Sequence, residues 1–294
     1  MDLVKEYKRY LPKLQRKILL EKKKIYHSLL TPAEDKKILF IMGCQRSGTT
    51  MMQKIFEKDL HAKVYGEFSK LSRHDRGRIR LNPLNQVKRE IDKDTPPLVV
   101  MKPLVETQNL KELLQYFPSS KVLWMFRHFK DVAASNLVNF GKSNGIDDLR
   151  PIAQRDPHNW RSEGATDHVT EVVQKYFSEN MDEMDAAALF WYARNSLFFD
   201  LNLGVNPRVM MCRYEDLVRE PAESMKEIYA FADAQYPGEQ ITDSVSTSSV
   251  GKGKHVELNP EIEVLCNQML KRLEDAYFTQ QKKKEVLSSL KGVK

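Results

Sequence analysis

Eight residues, Gly43-Cys44-Gln45-Arg46-Ser47-Gly48-Thr49-Thr50, hold two glycines with an arginine between them and two hydroxyls directly after. Such a set can cradle an anion if it forms the turn between a strand and a helix. Backbone N–H groups and the positive helix end then point at the ligand, and Thr49 and Thr50 add hydroxyl donors. The glycine spacing is that of a nucleotide-phosphate loop. The lysine that such loops carry after the second glycine is replaced by Thr49, and the cation sits inside the loop as Arg46. A nucleoside triphosphatase also needs a carboxylate at a neighbouring strand end to hold magnesium. The apolar run ending at Phe126 leads into Arg127 instead, and no Mg²⁺ ligand set is evident.

Arg127 and Ser135 are candidates for a second anion site. An arginine at a strand exit and a serine on the following helix can close on one phosphate from two sides. Asp131 between them reads as a helix-start residue. Glu67, in Val64-Tyr65-Gly66-Glu67-Phe68, is a carboxylate able to accept a proton. Lys102, in Met101-Lys102-Pro103, is a cation able to stabilise charge on a departing oxygen. Taken alone, each reads as a surface residue. Arg213-Tyr214-Glu215-Asp216-Leu217 follows another apolar run, and Ser244–Lys254 is dense in Ser, Gly and Lys, with Ser249 and Lys252 as phosphate-lid candidates. His74, His128, His158, His168 and His255 show no metal-ligand spacing; His158 and His168 are substitute bases should Glu67 not serve.

These residues need strand ends to hold them. Apolar runs at 38–42, 98–101, 121–126 and 208–212, with a short strand before Glu67, alternate with helical patterns at 106–117, 129–140 and 184–203. That rhythm predicts an α/β fold of the phosphate-loop type: three layers, α/β/α, around a central parallel sheet. Ligands of such sheets bind beyond the carboxyl ends of the strands, where every motif above falls. Residues 141–183 are polar, with Gly141, Gly145, Pro151, Pro157 and Gly164, and read as an insertion or lid over the site. The organisation is then a basic helical arm over 1–35, a catalytic domain over 36–275 and a Lys-rich tail over 276–294 that frays.

The chain has 294 residues, 47 basic against 40 acidic. The surplus favours anionic partners without choosing among them. Three cysteines without a Cys-x-x-Cys pair exclude a disulfide scaffold or structural zinc site. With no apolar run of membrane-spanning length and no leader pattern, a cytoplasmic location is expected. In residues 3–30, Leu3, Tyr7, Leu11, Leu14, Ile18, Ile25 and Leu29 recur at helical spacing among Lys and Arg, with Pro12 interrupting. Two readings stand: a membrane-surface or partner-binding helix, giving a peripheral membrane contact through residues 1–30, and a solvated helix packed on the domain. The second is favoured. The segment carries none of the motifs.

Arg46-Ser47-Gly48-Thr49-Thr50 and Arg127-x₇-Ser135, at these points of a strand–helix series, resemble the PAPS-dependent sulfotransferase family across residues 36–275. The branch closest in motif is that of tyrosylprotein sulfotransferases and related bacterial enzymes. The resemblance implies transfer of a sulfuryl group from 3′-phosphoadenosine-5′-phosphosulfate (PAPS) to an acceptor hydroxyl or amine, releasing 3′,5′-adenosine bisphosphate, with no metal required. It implies that Arg46, Ser47, Gly48, Thr49 and Thr50 bind the 5′-phosphosulfate and that Arg127 and Ser135 bind the 3′-phosphate. Glu67, at the family's interval from the loop arginine, is implied as general base, and Lys102, at its interval before Arg127, as catalytic cation. Tyr214 is implied near the nucleotide and Ser249 near the sulfate, with Lys252 beside it; Trp191 reads as core. The acceptor, whether carbohydrate, lipid, peptide or small natural product, is not legible, and no nucleic acid is expected. The alternatives are a nucleotide-dependent phosphotransferase on the same fold and a non-enzymatic basic module binding RNA or membrane.

Overall fold

The computed structural model describes residues 3–73 and 79–291. The apolar runs form five parallel strands, β1 (Lys37–Gly43), β2 (Ala62–Tyr65), β3 (Leu98–Met101), β4 (Lys121–Phe126) and β5 (Val209–Arg213). Their order in the sheet is β2-β3-β1-β4-β5. The helices are α1 (Leu3–Leu29), α2 (Thr49–Glu57), α3 (Leu84–Asp92), α4 (Leu110–Tyr116), α5 (Phe129–Phe140) and α6 (Asn144–Ala153). They continue with α7 (Asp167–Tyr176), α8 (Glu183–Asp200), α9 (Tyr214–Arg219), α10 (Pro221–Phe231) and α11 (Pro260–Lys291).

Successive strand residues face opposite sides of a sheet, so a strand covered on both sides must be apolar throughout. Leu39, Ile41, Val100, Leu123 and Met125 pack with Met52 and Ile55 of α2 and Ile228 and Tyr229 of α10. Phe40, Met42, Val99, Trp124 and Met211 pack on the other side with α3, α4, α5, α8 and α11. The three-layer expectation is met. At the β5 edge, the Gln280 side chain of α11 accepts from Met211 N at 3.0 Å and donates to the Val209 carbonyl at 3.1 Å.

Three segments differ from the sequence reading. Residues 141–183 carry α6 and α7, whose Leu149, Ile152, Val169 and Val173 join the core. Gly145 lies against α8 so closely that a Cβ would sit 2.7 Å from Ala187 N; here glycine permits helix contact and does not mark a loop. The Lys-rich tail is helical through Lys291 as part of α11; residues 292–294 lie outside the described ones. The first helix runs unbroken past Pro12; the side chains of Leu3, Tyr7 and Leu11 lie outside the described ones, as does His74.

Helix α1 docks mainly through polar contacts. Arg16 donates Nε to Glu57 Oε2 at 2.6 Å and Nη2 to Oε1 at 2.7 Å, a bidentate pair on the last residue of α2. Lys23 is buried and donates to the Glu57 carbonyl at 3.0 Å, and the His27 ring meets the Leu60 carbonyl at 2.8 Å. Burial pushes the Lys23 ammonium down to about 8, against the pull of Asp59 and Glu57. In the unfolded chain the same group holds its proton to about pH 10.4. Between those values the unfolded state binds more protons, so stability rises with pH. Wild type should therefore gain stability relative to Lys23→Met between pH 7 and pH 10. Urea titrations of both proteins at a series of pH values measure this; a constant difference would show that the amine is not desolvated.

Candidate functional site

Each parallel strand delivers one polar element at its carboxyl end. β1 runs into the Gly43–Gly48 loop, β2 reaches Glu67 two residues on, β3 is followed by Lys102, β4 by Arg127 and β5 by Tyr214. The pairings Phe40↔Met101, Tyr65↔Met101, Gly43↔Met125 and Phe126↔Arg213 bring those ends level. Gly43, at φ 125°, could not carry a side chain: a Cβ would sit 2.2 Å from the Met125 carbonyl oxygen. Arg46 adopts the left-handed region at φ 65°, a conformation an L-residue keeps only where its surroundings enforce it.

The loop and the β4 exit meet. Arg46 Nε donates to Ser135 Oγ at 3.0 Å, and Arg127 Nη1 lies 3.5 Å from the Arg46 carbonyl oxygen. Burial, and then the neighbouring Arg127 charge, lower the Arg46 pKa from its ordinary value. Arg127 is buried, lies over the Tyr214 ring at 4.3 Å and donates to the Ser249 carbonyl. Its Nε has no hydrogen-bond partner among the described residues. The Tyr214 hydroxyl meets Ser249 Oγ, and its ring packs beneath Gly48. A half-buried Arg46 beside a buried Arg127 makes a strongly anion-seeking surface.

Asp131 does more than start a helix. Its Oδ2 accepts from Arg127 Nη2 at 3.2 Å and from Gly251 N at 2.9 Å, and its Oδ1 accepts from Gly253 N at 2.7 Å. The carboxylate thus pins the 244–254 loop against the β4 exit. Nothing local in the sequence signals this, because its amide partners lie more than a hundred residues away.

A third cluster lies behind Thr50. Lys102 is buried, 3.1 Å from Thr50 Oγ1 and 2.8 Å from Glu67 Oε2. Lysine donates to both, so hydroxyl, ammonium and carboxylate form one continuous chain. Arg46, Gly48, Thr49, Thr50, Arg127, Ser135, Tyr214, Ser249 and Lys252 all line one cleft of about 1120 Å³. Ser47 turns away: its side chain is fully buried, its Oγ has no partner among the described residues, and its N–H closes on the Cys44 carbonyl. His158 and His168 are exposed and line no part of the cleft. The 141–183 segment touches the loop through Asp148, which accepts from Gln45 Nε2 at 2.8 Å, but supplies none of the cleft's lining. Helix α1, which carries no motif, does supply lining, through Gln15, Arg16 and Leu19. Among the described residues no group of three His, Cys, Asp or Glu is placed to hold a metal ion, and no helix is long and apolar enough to cross a membrane.

Residues 36–285 match the family model described as a sulfotransferase domain. No curated protein matches the chain in sequence. Its fold is similar to that of a sulfotransferase from Alicyclobacillus acidocaldarius, at 14% identity and a TM-score of 0.50, covering 84% of this chain and 97% of the other. The sulfotransferase domain of the Synechococcus PCC 7002 olefin synthase matches at 16% identity over 83% of this chain and 98% of that one, with a TM-score of 0.47. A mouse sulfotransferase complexed with PAP matches at 14% identity over 92% of this chain and 93% of that one, with a TM-score of 0.47.

Since Asp131 accepts from both the Gly251 and Gly253 amides, Asp131→Asn should loosen that part of the loop. The amide keeps one acceptor oxygen and loses the charge that pairs with Arg127. Hydrogen exchange at the Gly251 and Gly253 amides should quicken by at least about tenfold, while strand amides of β1 and β4 stay protected. Unchanged exchange at both glycines would mean that other contacts hold the loop.

Proposed function

The chain belongs to the sulfotransferase-domain family, and from that premise we propose that it transfers the sulfuryl group of PAPS to an acceptor hydroxyl or amine by in-line displacement. The reading is carried by the Thr50–Lys102–Glu67 chain, which joins the phosphate loop to a carboxylate through a single buried ammonium. A donor with two separated anionic groups suits the two arginines. Arg46 and the loop N–H groups of residues 48–50 hold the 5′-phosphosulfate, and Arg127, Ser135 and Lys252 hold the 3′-phosphate. Arg127 Nε, without a hydrogen-bond partner among the described residues, and the half-buried Arg46 cation beside it fit such a ligand. Tyr214 supports Arg127 from below, and Ser249 joins the two.

In the reaction, Glu67 takes the acceptor's proton as the acceptor oxygen or nitrogen bonds to sulfur. The bond between sulfur and the bridging phosphate oxygen breaks, and 3′,5′-adenosine bisphosphate departs with the electron pair. Lys102, already beside Thr50, stabilises the charge that gathers on that oxygen. Positioning and electrostatics carry the step, and no covalent enzyme intermediate is needed. Acceptor enters on the side of Glu67, which lies off the cleft wall that the nucleotide occupies.

Glu67→Gln preserves shape but cannot take a proton. Single-turnover transfer should fall by roughly 10²–10⁴-fold while calorimetric affinity for 3′,5′-adenosine bisphosphate stays near wild type. Wild-type turnover by this variant would remove Glu67 from the chemistry. Two anion sites also mean that the bisphosphate binds far more tightly than AMP. Arg127→Ala should abolish most of that preference, on the order of 1.5–3 kcal/mol for charge-assisted bonds to a phosphate. Equal affinities for the two ligands in the wild type would overturn the two-site reading.

A further inference from the structure

Helix α1 has its faces reversed relative to a helix packed on a core. Its inward side presents Arg16, Lys23 and His27 to α2 and the following turn. Its outward side presents Leu14, Ile18, Ile25 and Leu29, whose exposures are 44%, 48%, 66% and 79%. At 3.6 residues per turn these four fall within an arc of about 60°. A solvated helix would put lysines there and bury the isoleucines. Lys17, Lys22 and Lys24 flank the stripe and are exposed, with Lys24 paired to Glu21 at 2.7 Å.

Charge identifies the occupant. Residues 3–29 hold nine Lys or Arg against two Glu, a surplus of seven. The whole chain, with 47 basic and 40 acidic residues, has the same surplus, so everything outside α1 balances at 38 against 38. The entire net charge of the protein is concentrated on the helix whose outward face is apolar. A second copy would bring two such helices together and repel. A surface with negative charge outside and hydrocarbon beneath satisfies both the lysines and the stripe.

We propose that the outward face of α1 is a docking surface for an anionic lipid membrane, with Leu14, Ile18, Ile25 and Leu29 entering the headgroup–acyl boundary and the flanking lysines meeting lipid phosphates. One flank of the same helix, between the stripe and the inward side, lines the cleft through Gln15, Arg16 and Leu19. Docking therefore sets the cleft close to the lipid surface.

The test is co-sedimentation of the full chain with vesicles of phosphatidylcholine alone and with vesicles containing phosphatidylglycerol, at low and high salt. Wild type should bind the phosphatidylglycerol vesicles at least about tenfold more tightly, and salt should weaken that binding. Ile18→Asp/Ile25→Asp should lose roughly tenfold or more of it, with its affinity for 3′,5′-adenosine bisphosphate and its thermal melt unchanged. Lys17→Ser/Lys22→Ser should bind the same vesicles more weakly and with a smaller salt dependence. Three outcomes would overturn the proposal. One is wild type that ignores phosphatidylglycerol. Another is undiminished binding by the aspartate variant, which would leave the stripe without a role. The third is a wild-type dimer in light scattering that the aspartate variant splits, which would assign the stripe to a second copy.

Discussion

Asp131 is a buried carboxylate with three donors, and the geometry of the cleft hangs on it. Arg127 comes from the end of β4, while the Gly251 and Gly253 amides come from a loop more than a hundred residues later. Without a negative charge between them, Arg127 would stand buried beside Arg46 with no compensation, an arrangement that costs several kcal/mol in a dry interior. With it, one arginine is half-neutralised and held still. The other, Arg46, keeps its charge for whatever enters. The carboxylate thus performs two tasks at once: it closes one wall of the cleft and it divides the local positive charge unequally.

The parallel sheet supplies the second level of order. Because β1 lies between β3 and β4, the phosphate loop has Lys102 on one side and Arg127 on the other. The Lys102–Glu67 ion pair and the buried Arg127 therefore flank the same loop without competing for space. The left-handed backbone of Arg46 aims its side chain toward α5 and Ser135, while Thr50, on the first turn of α2, reaches toward Lys102. Gly43 makes this possible, since any side chain there would part β1 from β4.

Much of this could be read from the chain because strands covered on both faces must be apolar throughout, and polar residues at their exits then stand out. The placement of Glu67, Lys102, Arg127 and Tyr214 just past strand ends was legible for that reason, whereas the roles expected of them came from the family resemblance. What escaped the sequence depends on partners far away. Asp131 looked like a helix start because its amide partners carry no side-chain signature. Gly145 and Pro151 looked like loop residues, yet Gly145 permits close packing of α6 on α8 and Pro151 lies within α6. Ser47 fits the loop pattern but points inward, because a motif fixes residue types and leaves side-chain direction to the turn. The N-terminal helix showed its period but not its orientation, since ion pairing to Glu57 decides which side faces the domain.

The Gln280 amide bears on a different hazard. β5 is an edge of the sheet, and its outward Val209 carbonyl and Met211 N–H would otherwise stand free to accept a strand from another molecule. One side-chain amide, carried on α11, occupies both positions with one acceptor and one donor, as a neighbouring backbone would. It thereby ends the ladder without adding a strand. If α11 peels away, the sheet becomes a template, so the integrity of this last helix governs whether the protein, at high concentration or under mild denaturation, remains dispersed or grows by strand addition.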